Sequence, residues 1–174
     1  MGKTPSITKA EKKDVTAITQ LINDAYMADA ASPGWTSEAH YMEGQRTVEA
    51  DIERLLDKPN TDNFKYGTAD GEIVGFVSLE KHEQFIYLGL LTVSPQMQAG
   101  GIGRRLLEFA EAYAVSNHIP AICITVVNIR HELIAWYERR GYHATGKMIP
   151  FPQGHNRPKV PVHLAEMKKE IPMT

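Results

Sequence analysis

The stretch Gln98-Ala99-Gly100-Gly101-Ile102-Gly103-Arg104 constrains this chain more than any other. An apolar run with strand character, Gln84 to Val93, precedes it, and a run with helical spacing, Ile102 to Tyr113, follows. A helix that opens on a glycine-rich turn aims several free backbone N–H groups at one point, where the helix dipole adds partial positive charge. Such a point is a phosphate site. Gly101 and Gly103 let a ligand approach the backbone where a Cβ would obstruct it. Two other phosphate loops fit poorly. A dinucleotide-binding G-x-G-x-x-G needs a third glycine where Leu106 stands. A Walker A loop ends in Gly-Lys-Ser/Thr, whereas Gly103 is followed by Arg104 and Arg105.

Composition removes several classes of function. The chain has 174 residues, enough for one domain with a substantial core. Its formal net charge is −2, which is no footprint for nucleic acid. No apolar stretch approaches the ~20 residues that span a bilayer, and the start Met1-Gly2-Lys3-Thr4-Pro5 lacks the apolar centre of a signal peptide. The single cysteine, Cys123, cannot form an internal disulfide, so a reducing, cytoplasmic setting is expected. Cys123 lies in the apolar run Ala121 to Val127 and reads as a core residue rather than a nucleophile.

Periodicity predicts the remaining elements. Ser6 to Ala10 is a short strand. From Asp14, a candidate N-cap, apolar residues recur at helical spacing through Tyr26. Ser32-Pro33-Gly34 breaks that pattern, and Thr47 is a candidate cap for a second helix ending before Pro59. Phe64 to Thr68 and Ile73 to Leu79 flank the hairpin signal Asp70-Gly71. Ile119 to Val127 reads as a strand covered on both faces. A helix over Arg130 to Arg139 stops at Gly141. Tyr142 to Lys147 and Val160 to Lys168 close the chain as strands, with a proline-rich loop between them. The order β-α-α-β-β-β-α-β-α-β-β predicts a mixed sheet in an α/β or α+β layered domain.

The spacing Q-x-x-G-x-G at Gln98 to Gly103 resembles the pyrophosphate-binding signature of the GNAT superfamily, the acetyl-CoA-dependent N-acetyltransferases. A second segment, Asn128 to Tyr142, resembles that family's Asn at a strand end followed by a helix carrying Tyr-Glu-x-x-Gly-Phe/Tyr. The resemblance covers roughly Ser6 to Lys168 and is motif-specific from Tyr87 to Tyr142. It implies a mostly antiparallel central sheet flanked by about four helices, one domain over residues 1–174, and direct acetyl transfer to a primary amine. It implies that Leu91, Thr92, Val93, Gln98 to Arg104 and Asn128 bind acetyl-CoA, with Tyr137 beside the sulfur as general acid. Residue spacing, net charge and hydropathy predict no metal, no nucleic acid and no membrane; a homodimer is left open, as is a non-catalytic acyl-CoA-binding or regulatory module.

Each residue also has a plainer role. Tyr137 can be a core aromatic, Asn128 a cap for the fourth helix, and Arg104 an exposed arginine at a helix start. His131-Glu132 begins a zinc H-E-x-x-H, but Ala135 replaces the second histidine. Phe85-Ile86-Tyr87-Leu88 holds no carboxylate to act as general base, which leaves a water relay at Tyr87; Glu80, His82 and Glu83 read as hairpin surface charge. By the resemblance, the acceptor meets Ser32 to Arg46 and Met148 to Pro161. Trp35 there is either a cover for the acceptor or a loop anchor, and Glu38 and Glu43 either attract an ammonium group or are solvated.

Overall fold

The structure, a computed structural model, describes residues 5–27 and 42–173. In chain order the elements are β1 (Ser6–Lys9), α1 (Val15–Tyr26), β2 (Met42–Gly44), α2 (Glu49–Asp57), β3 (Thr61–Gly67), β4 (Ile73–Lys81), β5 (Ile86–Val93), α3 (Ile102–Ser116), β6 (Ala121–Val127), α4 (His131–Glu138), β7 (His143–Pro150), β8 (Asn156–Pro158) and β9 (His163–Glu170). Seven strands form one sheet in the order β1-β3-β4-β5-β6-β9-β7. Among its pairs only β5 with β6 is parallel. Every predicted element is present, and the sheet is mixed and mostly antiparallel as expected.

Two elements are additional. β2 and β8 pair antiparallel from Met42↔Pro158 to Gly44↔Asn156, inside segments expected to be loops. Three-residue strands whose partners are so distant leave no periodic trace in the sequence. Gly44 is required there: at φ +92 its Cβ would stand 2.4 Å from the His155 carbonyl oxygen.

The sheet is covered on both faces. On one, Ile102, Leu106, Leu107, Ala110 and Ala114 of α3 meet Val74, Val77 and Leu79 of β4 and the apolar residues of β5 and β6. Gly75 lets α3 settle close, since a Cβ there would lie 3.1 Å from Ile102 Cγ2 and Leu106 Cδ1. On the other face, Val15, Ile18, Leu21 and Ile22 of α1 and Ile52 of α2 pack on Phe76.

Of the two expected caps, Asp14 holds the N-cap position of α1 and Thr47 is displaced by its neighbour. The N-cap of α2 is Val48. Thr47 instead donates its N–H to Asn23 Oδ1 and accepts the Asn23 Nδ2–H at its carbonyl, each at 3.0 Å, tying the end of α1 to the start of α2. Asp14 makes no cap bond to α1. Its carboxylate accepts the Glu11 N–H at 2.8 Å and the Lys65 ammonium at 2.7 Å, because β3 brings a cation within reach. The Asp70-Gly71 turn closes as predicted, with Gly71 N–H on Thr68 O.

Candidate active site

β5 carries a bulge. Phe76 pairs with Thr92 and Ser78 with Gly89, so Val77 alone faces Leu90 and Leu91. The added residue returns Leu91 and Val93 to the same core as Ile86 and Leu88, and sends Leu90 to the α1 face. Leu90 adopts φ +51, a left-handed conformation costly for leucine. Such strain concentrates at ligand sites. The Leu90 carbonyl accepts the Thr92 hydroxyl at 2.7 Å.

Below the bulge, β5 and β6 pair only at Ile86↔Ile122 and Tyr87↔Cys123. Beyond these pairs the strands part, and a cavity of about 360 Å³ opens between them. Its walls are Tyr87 to Leu91 of β5 and Ile124 to Val127 of β6, closed by Tyr26, Tyr137 and the segment Phe151 to Asn156. Strands that separate inside a sheet present backbone donors and acceptors that an extended ligand can pair with.

At the end of β5 the chain makes a 3₁₀ turn, Pro95–Gly100, that includes Gln98 and Ala99. Gly101 follows at φ +75, with nothing within 4 Å of where its Cβ would point. Helix α3 then starts without a side-chain cap, and Arg105 N–H is the first to reach back, to Gly101 O at 3.1 Å. The N–H groups of Ile102, Gly103 and Arg104 precede that bond and form the cationic end of the helix. Gly103 is buried in the first turn of α3. Arg104 lies on the solvent side, 3.6 Å from Glu108.

Tyr137 comes from α4, whose Leu133, Ile134 and Trp136 pack on the core. It is 5% exposed and lines the cavity. Its ring meets Trp136 and Tyr142 edge-on, at 5.0 and 5.6 Å. Burial pushes its phenol well above the ordinary tyrosine range, with Tyr26 and Tyr87 adding to the rise and Arg130 opposing it. The hydroxyl therefore keeps its proton at neutral pH, as a proton donor must. Tyr87 Oη and Thr125 Oγ1 share a hydrogen bond of 2.8 Å at the base of the cleft.

The remaining expected residues divide. Leu91 lines the cleft; Thr92 and Val93 are fully buried and pair with β4. Asn128 is not a helix cap: Arg130 holds that position, and Asn128 Oδ1 accepts the His163 N–H at 2.9 Å, locking β6 to β9. Glu80 pairs with Lys58 and His82, and neither it, His82 nor Glu83 reaches the cleft. Cys123 is buried in β6, where burial pushes its thiol up. Trp35 and Glu38 lie outside the described residues. Arg130, Asp51, His155 and Asn156 also line the cleft. Arg130 lies inside the second motif, whose pattern assigns it no role. The others sit on an amphipathic helix and a proline-rich loop whose patterns report burial, not chemistry.

Among the described residues no helix is long and apolar enough to cross a membrane. The chain is similar over 98% of its length to the ribosomal-protein-S18-alanine N-acetyltransferase from Escherichia coli, at 18% identity, a TM-score of 0.72 and 96% of that chain. It is similar to the spermidine N-acetyltransferase from Vibrio cholerae, whose structure holds CoA and spermine, at 17% identity and a TM-score of 0.70, over 97% of this chain and 96% of that one. A phosphinothricin acetyltransferase from Sinorhizobium meliloti, in complex with AcCoA, gives 14% identity and a TM-score of 0.69 over 97% and 89%. These likenesses establish the fold. The family model of the acetyltransferase (GNAT) domain matches residues 37–151, and the chain belongs to that family of acetyltransferases.

Proposed function

We propose that this chain is a single-domain, cytoplasmic N-acetyltransferase that moves the acetyl group of acetyl-CoA directly to a primary amine. The observation that carries the reading is the parting of β5 and β6 over a cleft with buried Tyr137 in its wall. The chain's features fit the co-substrate. The start of α3 at Gly101 suits a pyrophosphate, with open space over the glycine and N–H groups ahead of the first helical bond. The separated strands suit a pantetheine arm.

Acetyl-CoA supplies the activated acyl group. The cleft holds amine and thioester together, which removes much of the entropic barrier. A backbone N–H of β5 near Leu91 polarises the thioester carbonyl. Tyr137 delivers its phenolic proton to the departing sulfur. No carboxylate stands on β5 to take the proton of the amine, so that proton leaves through water at Tyr87 and Thr125. Thiol release from acetyl-CoA across a panel of primary amines tests the reading. Release that depends on an amine supports it; acetyl-CoA binding without release from any of them refutes it.

A further inference from the structure

We infer that the acceptor carries a carboxylate beside its amine, and that Arg46 and Asn156 hold it. The inference rests on the acetyl-transfer reading of the same cleft. Arg46 and Arg130 both line the cavity. The Arg46 guanidinium lies over the Tyr26 ring, 5.3 Å from its centre, and has no carboxylate partner among the described residues. Stacking on an aromatic face leaves the edge of the fork, with its N–H groups, available. Arg130 also has no carboxylate partner among the described residues, and its charge is felt at Tyr137. Asp51 is the one carboxylate on the described wall, and it is already engaged. Its Oδ2 lies 2.7 Å from His155 Nε2, and its Oδ1 pairs with Arg54.

Asn156 supplies an independent observation. It lines the cavity, is 6% exposed, and its side-chain Nδ2 has no hydrogen-bond partner among the described residues. Buried donors are normally satisfied, so this one is available to an acceptor on a ligand in the cleft. The described wall therefore holds two uncompensated guanidinium groups, a buried donor lacking an acceptor, and no free carboxylate. A polycationic amine would meet repulsion there. An amine with a carboxylate a few bonds away would satisfy the Arg46 fork and Asn156 together. The Arg130 charge acts on the Tyr137 phenol, so Arg46 carries the assignment.

The test compares L-methionine, L-phenylalanine and L-glutamate with their α-carboxamides and decarboxylated amines, plus spermidine, by thiol release from acetyl-CoA. At least one acid should exceed its amide in kcat/KM by more than about tenfold, since a site built to pair a group rejects the analogue lacking it. Arg46→Gln should collapse that ratio by raising KM for the acid, with little change for the amide, and Arg46→Lys should restore part of it. Asn156→Asp, in a protein that melts normally, should shift preference toward the decarboxylated amine. Amides, amines or spermidine preferred over the acids, or Arg46→Gln lowering acid and amide equally, overturns the inference. So does a protein that binds acetyl-CoA in calorimetry and acetylates none of the acids. Calorimetry also separates the two failures: no acetyl-CoA binding ends the acetyl-transfer reading itself, whereas binding with the wrong acceptor preference ends only this inference.

Discussion

Tyr87 Oη and Thr125 Oγ1 meet at 2.8 Å, Tyr87 belonging to the last pair that joins β5 to β6 and Thr125 lying two residues beyond its partner Cys123. The hydroxyls bridge the strands where backbone pairing stops, and so fix the width of the cleft base. Tyr87→Phe and Thr125→Val should each cost about 0.5–1.5 kcal/mol. The double variant should cost less than the sum, because the second change removes a group already left alone by the first. Urea denaturation of the four proteins measures the coupling; strict additivity would show that the bridge contributes nothing.

Gly101 sits at φ +75 with open space before it. A methyl group there strains the backbone by roughly 1–2 kcal/mol and also occupies the approach to the α3 N-terminus. Gly71 provides the control, since it has φ +88 and open space on a hairpin away from the cleft. Gly101→Ala and Gly71→Ala should lower the melting temperature to similar extents. Only Gly101→Ala should weaken acetyl-CoA binding, by more than about tenfold. Equal affinities of the two variants in calorimetry would move the pyrophosphate elsewhere.

Removing the Tyr137 hydroxyl leaves its ring against Trp136 and Tyr142. Tyr137→Phe should therefore fold normally and bind acetyl-CoA within about twofold of wild type, while kcat falls by about 10²–10⁴. Cys123→Ala should retain activity, because direct transfer forms no acyl-cysteine. A Tyr137→Phe enzyme at wild-type kcat, with chemistry limiting, would make Tyr137 a packing residue only.

Much of this architecture was legible because the patterns are local. The helical spacing of Val15, Ile18, Leu21 and Ile22 and the Asp70-Gly71 turn need nothing distant to be read. The same holds for the phosphate loop and for Tyr137, each part of a contiguous motif. What escaped was set by distant partners. Asp14 holds the N-cap position of α1, but its carboxylate turns to Lys65, which β3 brings to it, and makes no cap bond. Asn128 looks like a cap until β9 presents the His163 N–H. The β2–β8 ribbon and the Asp51–His155 contact join residues whose separation no window of sequence spans. The bulge at Leu90 left one local trace: Leu88 and Leu90 alternate, as do Leu91 and Val93, and the adjacent pair Leu90-Leu91 marks the slip between them.

The Asp14–Lys65 pair links α1 to the sheet and gives stability a pH dependence. Both side chains are largely buried, at 9% and 18% exposure, so solvent screens them little. Burial alone would raise the Asp14 carboxyl. The Lys65 ammonium and the Glu11 N–H outweigh it and hold the group below the ordinary carboxylate range. A carboxyl depressed in the folded state stabilises the protein fully above its unfolded pKa, near 3.9, and the contribution is lost as pH falls through the lower folded value. Asp14→Asn should therefore destabilise the protein by about 1–3 kcal/mol at pH 7. The gap between wild type and variant should narrow steadily below pH 4 as wild-type Asp14 takes up its proton. Urea midpoints for both proteins at pH 7, 4 and 3 measure it, and a gap that stays constant across that range would show that the pairing with Lys65 does not stabilise the fold.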